Sequence, residues 1–183
     1  TDVAVLTVMS TLTNVSIYDV YYLVVAGLYQ TYAVIFTGVQ SLLGDMYAKK
    51  EKTKLNQVFG AFEWITHFFV TVAFGCTAVL IIPFVKVYTN GVSDVNYIVP
   101  EFALLITAAY GFCCLYSYYN LMIKAVGHFK ETQLSAIIEA ILNLSISILL
   151  VRQFSLVGVA FGTLIAKIYR VLYFVIYLKK HIL

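Results

Sequence analysis

Glu139, Lys167 and Arg170 stand in runs of sequence that are otherwise apolar. Charges in such a setting pair with one another, hold a substrate or relay ions. Glu139 lies 13 residues before Arg152 and Lys167 lies 14 residues after Gln153. If the two flanking runs are antiparallel helices joined at Arg152-Gln153, both residues sit about 20 Å from the turn, near the middle of a bilayer. A Glu139 to Lys167 ion pair is therefore expected. Each run also carries a polar stripe. Ser135, Glu139, Asn143 and Ser147 recur at every fourth position, and Thr163, Lys167 and Arg170 follow at steps of four and three, spacings that share one helix face. Two readings fit: the stripes glue helices together, or they line a cavity for an anionic substrate. Interhelical glue is usually Ser, Thr or Asn and seldom needs two extra cations, which favours a cavity lined by Lys167, Arg170, Glu139 and Asn143.

A second stripe, Glu63, His67, Thr71 and Gly75, repeats every four residues. His67 falls about 18 Å from the cytoplasmic end of its run. Histidine titrates near neutral pH, and carboxylate and histidine chains relay protons in transporters; a lone histidine inside a membrane serves equally well as a packing hydrogen-bond donor. Asp19, Tyr22, Ala26, Gln30, Ala33 and Thr37 form a weaker stripe, and Asp2 is expected to reach the same central layer as Glu139. Asp2, Glu63, His67 and Glu139 are the candidates for ion or proton coupling.

The elements that must position these residues are membrane helices. Of the 183 residues, 62% are hydrophobic and only 11% charged, against roughly 25% charged in a soluble domain. The expected fold is all-α, a polytopic transmembrane bundle forming a single lobe over residues 1–183. Five full spans are expected at 17–44, 56–86, 98–124, 132–151 and 155–178, with a partial helix at 1–12. The chain opens without Met and without signal-peptide patterning, so an internal fragment of a larger protein is expected. Lys49, Lys50, Lys52, Lys54, Lys124, Lys130, Lys179 and Lys180 fill alternate gaps, while the other gaps hold Lys86 and Arg152. The positive-inside bias puts the lysine-rich gaps in the cytoplasm. Asn90-Gly91 and Pro100 bracket the longest outer loop, with Ser93, Asp94 and Asn96 as turn formers.

Other patterns limit the chemistry. Cys76, Cys113 and Cys114 lie in apolar runs without metal-ligand spacing; they are expected to be free, buried and packed as small apolar groups, and neither a disulfide framework nor a metal site is expected. The net charge of +3 comes from loop lysines and offers no clustered nucleic-acid face. Phosphate-binding loops, triads and metal boxes are absent from the sequence, so neither an enzyme nor a cofactor is expected. Gly158, Gly162 and Ala166 form a small-residue row suited to close helix packing. Tyr110, Tyr116, Tyr118 and Tyr119 suit either an interfacial aromatic belt or stacking on sugar rings.

Four stretches carry a family resemblance: Val15-Ser16-Ile17-Tyr18-Asp19-Val20-Tyr21, Leu43-Gly44-Asp45-Met46-Tyr47-Ala48-Lys49, Gly127-His128-Phe129-Lys130-Glu131-Thr132-Gln133, and Leu156-Val157-Gly158-Val159-Ala160-Phe161-Gly162-Thr163-Leu164-Ile165-Ala166. Together they resemble the polysaccharide-biosynthesis flippases of Gram-positive bacteria, in the multidrug, oligosaccharidyl-lipid and polysaccharide exporter superfamily. The resemblance spans essentially the whole chain through diffuse structural signatures. It implies one lobe, the C-terminal one, of a two-lobe transporter in the bacterial cytoplasmic membrane, whose partners are membrane lipids, a lipid-linked oligosaccharide and the second lobe of the same polypeptide. By that logic Lys167 and Arg170 contact pyrophosphate, and Glu139 positions Lys167 or exchanges ions. A cation-coupled multidrug extruder and a non-transporting membrane scaffold are the alternatives.

Overall fold

Capping and turn residues cut the apolar chain into helices. The computed structural model describes residues 2–92 and 95–182, and every regular element within them is helical. Thr1 of the partial helix, and Ser93 and Asp94 of the outer loop, lie outside the described residues. Helix α1 spans Asp2–Met9. Thr11 then caps α2, Leu12–Ile35, its hydroxyl accepting from the Asn14 amide at 3.3 Å, which satisfies one orphan donor of the first turn. Helix α3, Val39–Ala48, follows Gly38, whose φ of +95° is open to glycine at little cost. The two axes differ by 41°, so the stretch expected as one span at 17–44 is a bent pair.

Helix α4, Lys52–Phe69, passes through a π-helical turn at Val70–Phe74 into α5, Gly75–Tyr88. Helix α6, Pro100–Val126, starts on a proline, whose fixed φ and missing N–H suit a first turn, and stops at Gly127 with φ +78°. Helix α7, Phe129–His181, breaks at Ser155 (φ 46°, ψ −118°) into arms at 129–154 and 156–181. The reversal expected at Arg152-Gln153 thus falls two residues later. Arg and Gln are good helix formers, whereas Ser readily exchanges helical bonds for local ones.

Lys52–Tyr88, Pro100–Val126 and Phe129–His181 are each long and apolar enough to cross a membrane, and the bent pair α2–α3 makes a fourth such element. Large apolar side chains cover the outside: Val79 is 73% exposed, Leu149 72% and Trp64 68%. A soluble protein rarely presents such a surface, and the bundle is that of a membrane protein.

Helix α6 runs through the middle and divides the interior into two apolar cores. One joins Leu43, Leu55, Phe59, Tyr118, Met122, Phe174 and Leu178 near the lysine-rich turns. The other joins Leu6, Tyr21, Ile81, Phe102, Leu156 and Val159 at the opposite end. There Tyr21 pins the α5–α6 loop, donating to the Tyr97 carbonyl at 2.9 Å and accepting from the Val99 amide at 3.1 Å. Cys113 and Cys114 lie inside or partly inside the bundle, but Cys76, expected to be buried, is on its outer surface; all three thiols are free.

The arms of α7 approach so closely that glycine is required between them. A Cβ on Gly158 would lie 2.7 Å from the Leu150 carbonyl, and one on Gly162 would lie 2.6 Å from Ser147 Oγ. Gly158→Val is expected to destabilise the protein by about 1–3 kcal/mol through overpacking. Ser155→Gly should do the reverse, relieving a strain of about 1 kcal/mol or more. Denaturant midpoints of the two purified variants, compared with the unaltered protein, test both.

Candidate functional site

Between the two apolar cores the α7 hairpin holds a band of polar side chains. Lys167 Nζ lies 2.7 Å from Glu139 Oε1, the pair expected from the hairpin register, and Arg170 Nε approaches Glu139 Oε2 at 3.4 Å. One carboxylate therefore faces two cations. Arg170 is 5% exposed. Its guanidinium donates to Ser135 Oγ and, at 3.5 Å, to the Thr132 carbonyl, while Nε makes no hydrogen bond among the described residues. Aromatic faces complete the surroundings: Arg170 Cζ is 4.5 Å from the Phe174 ring centre and 5.6 Å from that of Tyr116, and Lys167 Nζ is 5.1 Å from the Tyr116 ring. Each such contact is worth about 0.5–2 kcal/mol as the site dries.

The remaining stripe residues continue the band toward the turn of the hairpin. Asn143 Nδ2 donates to Thr163 Oγ1 at 3.3 Å, and Ser147 Oγ donates to Asn143 Oδ1 at 3.1 Å. Thr163 in turn donates to Asp2 Oδ2 at 2.7 Å, and Tyr18 donates to the same oxygen at 3.2 Å. Helix α1 is thereby fastened to α7 and α2 through one carboxylate. Asp2 reaches the band, one helical turn along from Lys167, and forms no ion pair with it among the described residues.

One open space has little signature in the sequence. A cleft of about 620 Å³ lies between α2, α3 and α6, lined among others by Tyr29, Gln40, Tyr116, Ser117, Asn120 and Lys124. Tyr29 and Ser117 hydrogen-bond across it at 3.0 Å. Ser117, Asn120, Leu121 and Lys124 fall at the i, i+3, i+4, i+7 spacing of one helix face, a signal hidden by the apolar residues between them. Among the described residues, Lys124 is the one charged residue in the lining. Tyr116 is shared, lining the cleft while its ring contacts Lys167 and Arg170.

Glu63 and His67 are not part of the band. Tyr119 OH donates to Glu63 Oε1 at 2.7 Å and lies 3.4 Å from His67 Nε2. Its proton is committed to the carboxylate, so the histidine donates to the phenol oxygen. The tyrosines expected as either belt or platform sit inside the bundle. Tyr118 and Tyr119 are buried, and Tyr118 donates to the Phe59 carbonyl. Tyr110 packs edge-on against Tyr22 and Tyr29 at 5.8 and 6.4 Å.

Comparisons with family models, curated proteins and solved structures return no match to this chain.

Removing Glu139 leaves two mostly buried cations without a counter-charge. Glu139→Ala is expected to cost about 3–5 kcal/mol of stability, and Glu139→Ala with Lys167→Ala should cost clearly less than the sum of the single changes. A double-mutant cycle on the denaturation midpoint reads the coupling, expected at about 1–3 kcal/mol; additive effects would show that the two side chains do not act as a pair.

Proposed function

We propose that this chain is the second lobe of a two-lobe transporter that carries a polyprenyl-pyrophosphate-linked oligosaccharide across the bacterial cytoplasmic membrane for cell-surface polysaccharide synthesis. The observation that carries the reading is Tyr116, the shared wall between a roomy polar cleft and a pair of cations. Aromatic rings, amides and hydroxyls such as Tyr29, Gln40, Ser117 and Asn120 suit sugar rings, whose faces stack and whose edges hydrogen-bond. Lys167 and Arg170 suit the pyrophosphate, for which charge-assisted donors are the strong partners.

The two arms of α7 each count as a span in this reading. With the bent α2–α3, the continuous α4–α5 and α6, they make five full spans, and α1 is the end of a sixth. The lysine-rich turns face the cytoplasm. The second lobe of the same polypeptide covers the side of α2 and of the turn after it where Asp19, Gln30 and Thr37 are exposed, because polar side chains at that depth need a protein partner or a wet cavity. Rocking of the two lobes opens the cavity first inward and then outward. The lipid tail stays in the bilayer, and Asp2 and Glu139 are the carboxylates available for ion coupling.

A scaffold without transport activity is the second reading, and one observation favours it. Lys167 and Arg170 are both already engaged by Glu139, and Asp2 is held by Thr163 in a neighbouring hydrogen-bonded cluster. A multidrug extruder for cations fits less well, because the cleft lining carries Lys124 and, among the described residues, no carboxylate.

The test follows the substrate lipid. In oriented vesicles from cells making the intact parent protein, a membrane-impermeant glycosidase reports the leaflet that holds the oligosaccharide. Lys167→Met and Tyr116→Leu are expected to slow its appearance in the outer leaflet by about tenfold or more, the loss of one charge-assisted contact, at unchanged protein level. Variants that transport at the normal rate would remove Lys167 and Tyr116 from the site and leave the scaffold reading in its place.

A further inference from the structure

The turn between α3 and α4 puts a lysine where a helix end ordinarily favours glycine. The Glu51 amide donates to the Met46 carbonyl at 3.1 Å and the Lys50 amide to the Tyr47 carbonyl at 3.0 Å, the paired bonds of a Schellman motif, whose left-handed position suits a residue without a Cβ. Lys50 occupies that position, with φ 58°. Four lysines surround the turn, and they fall into two kinds. Lys49 pairs with Asp45 at 2.7 Å and Lys54 with Glu51 at 3.1 Å. Lys50 and Lys52 are exposed and form no ion pair among the described residues. With Asp45 and Glu51 both engaged, the turn keeps two positive charges.

Those two lysines share one cavity, of about 420 Å³, lined also by Met46, Tyr47, Glu51 and Leu55 among others. Leu43 of α3 and Leu55 and Phe59 of α4 pack in the same core, so both helices run back from the turn side by side. Met46, four residues before Lys50, and Leu55, three after Lys52, therefore lie on the membrane side of the lysines. Cations at the rim with apolar side chains beneath them match the order of phosphate and acyl chain in a phospholipid, and basic clusters beside membrane helices attract anionic headgroups. We infer that the α3–α4 turn is a binding site for an anionic phospholipid with one phosphodiester, such as phosphatidylglycerol. Lys50 and Lys52 hold the phosphate, and the start of an acyl chain lies against Met46 and Leu55. The backbone of Lys50 fits this role, since glycine there would suit the turn but bring no charge. A zwitterionic headgroup fits less well, because its own ammonium comes close to both lysines.

Native mass spectrometry of the protein in a neutral detergent tests this with phosphatidylglycerol and phosphatidylcholine of identical acyl chains. Phosphatidylglycerol is expected to reach half-occupancy at roughly tenfold lower concentration, and each of Lys50→Gln and Lys52→Gln to weaken it about fivefold, the effect of one basic residue near an anionic headgroup. Lys179→Gln with Lys180→Gln removes as much charge from the same end of the bundle and should change the preference by no more than about twofold, because a screened charge outside the site contributes little. Lys50→Gly is the sharper variant: its denaturation midpoint should rise as the left-handed turn gains its favoured residue while phosphatidylglycerol binding falls, opposite movements that a purely structural lysine would not give. Glycerophosphoglycerol, the same headgroup without chains, should not displace the lipid at matched concentration. Equal occupancy by the two lipids, equal losses in the two pairs of lysine variants, a preference that survives Lys50→Gly, or displacement by glycerophosphoglycerol, which would mark a site for a soluble phosphate, would each overturn the assignment. The unaltered protein alone separates the two lipids and the free headgroup, so the result stands even where a variant fails to fold.

Discussion

The architecture depends on the need to neutralise Lys167 and Arg170 where water is scarce. Each ion taken out of water costs several kcal/mol even after the protein relaxes, and only close pairing with further hydrogen bonds offsets that. Glu139 bridges both cations, Ser135 and the Thr132 carbonyl take up the guanidinium, and Tyr116 and Phe174 offer their ring faces. These partners lie on both arms of α7 and on α6. The register of the hairpin and the position of α6 against it are consequently fixed together, because a slip of one residue along either arm would separate the charges.

This constraint explains the small residues around the hairpin. Gly158 and Gly162 bring the arms into near-backbone contact, as small residues do between membrane helices, where hydrophobic association contributes little. Thr163 then lies within reach of Asn143 on the neighbouring arm and of Asp2 on α1. The strained turn at Ser155 is offset by the packing of the arms below it. The band and the hairpin therefore support each other: the glycines permit the distances, and the charged and hydrogen-bonded groups reward them.

Much of this arrangement was legible from spacing alone. Glu139 and Lys167 stand at nearly equal distances from the reversal, and the four-residue stripes identify the inward faces of both arms. The bend at Gly38 was not legible, since apolar patterning is blind to a positive φ inside a long hydrophobic run. The break at Ser155 was misplaced by two residues, because polarity marked Arg152-Gln153 whereas helix propensity governs where the chain leaves the helix. The cleft was missed for another reason. Its lining comes from α2, α3 and α6, and the sequence does not encode which face of one helix meets which face of another.

Helix α6 therefore separates two chemistries with one sequence. On one side Ser117, Asn120 and Lys124 line the cleft; on the other Ala108, Gly111 and Leu115 line an apolar cavity against Val70, Phe74 and Ala78. At 3.6 residues per turn these sets fall about half a turn apart, which is why α6 shows no clear polar face when read as a string. Tyr116 and Tyr119 lie one turn apart on the same flank between these sets, one turned to the cations of α7 and the other to Glu63. A tyrosine suits such a boundary because its ring packs against apolar neighbours while its hydroxyl serves a polar one. The same residue type thus does different work one turn apart, and partner identity, set by tertiary structure, decides which.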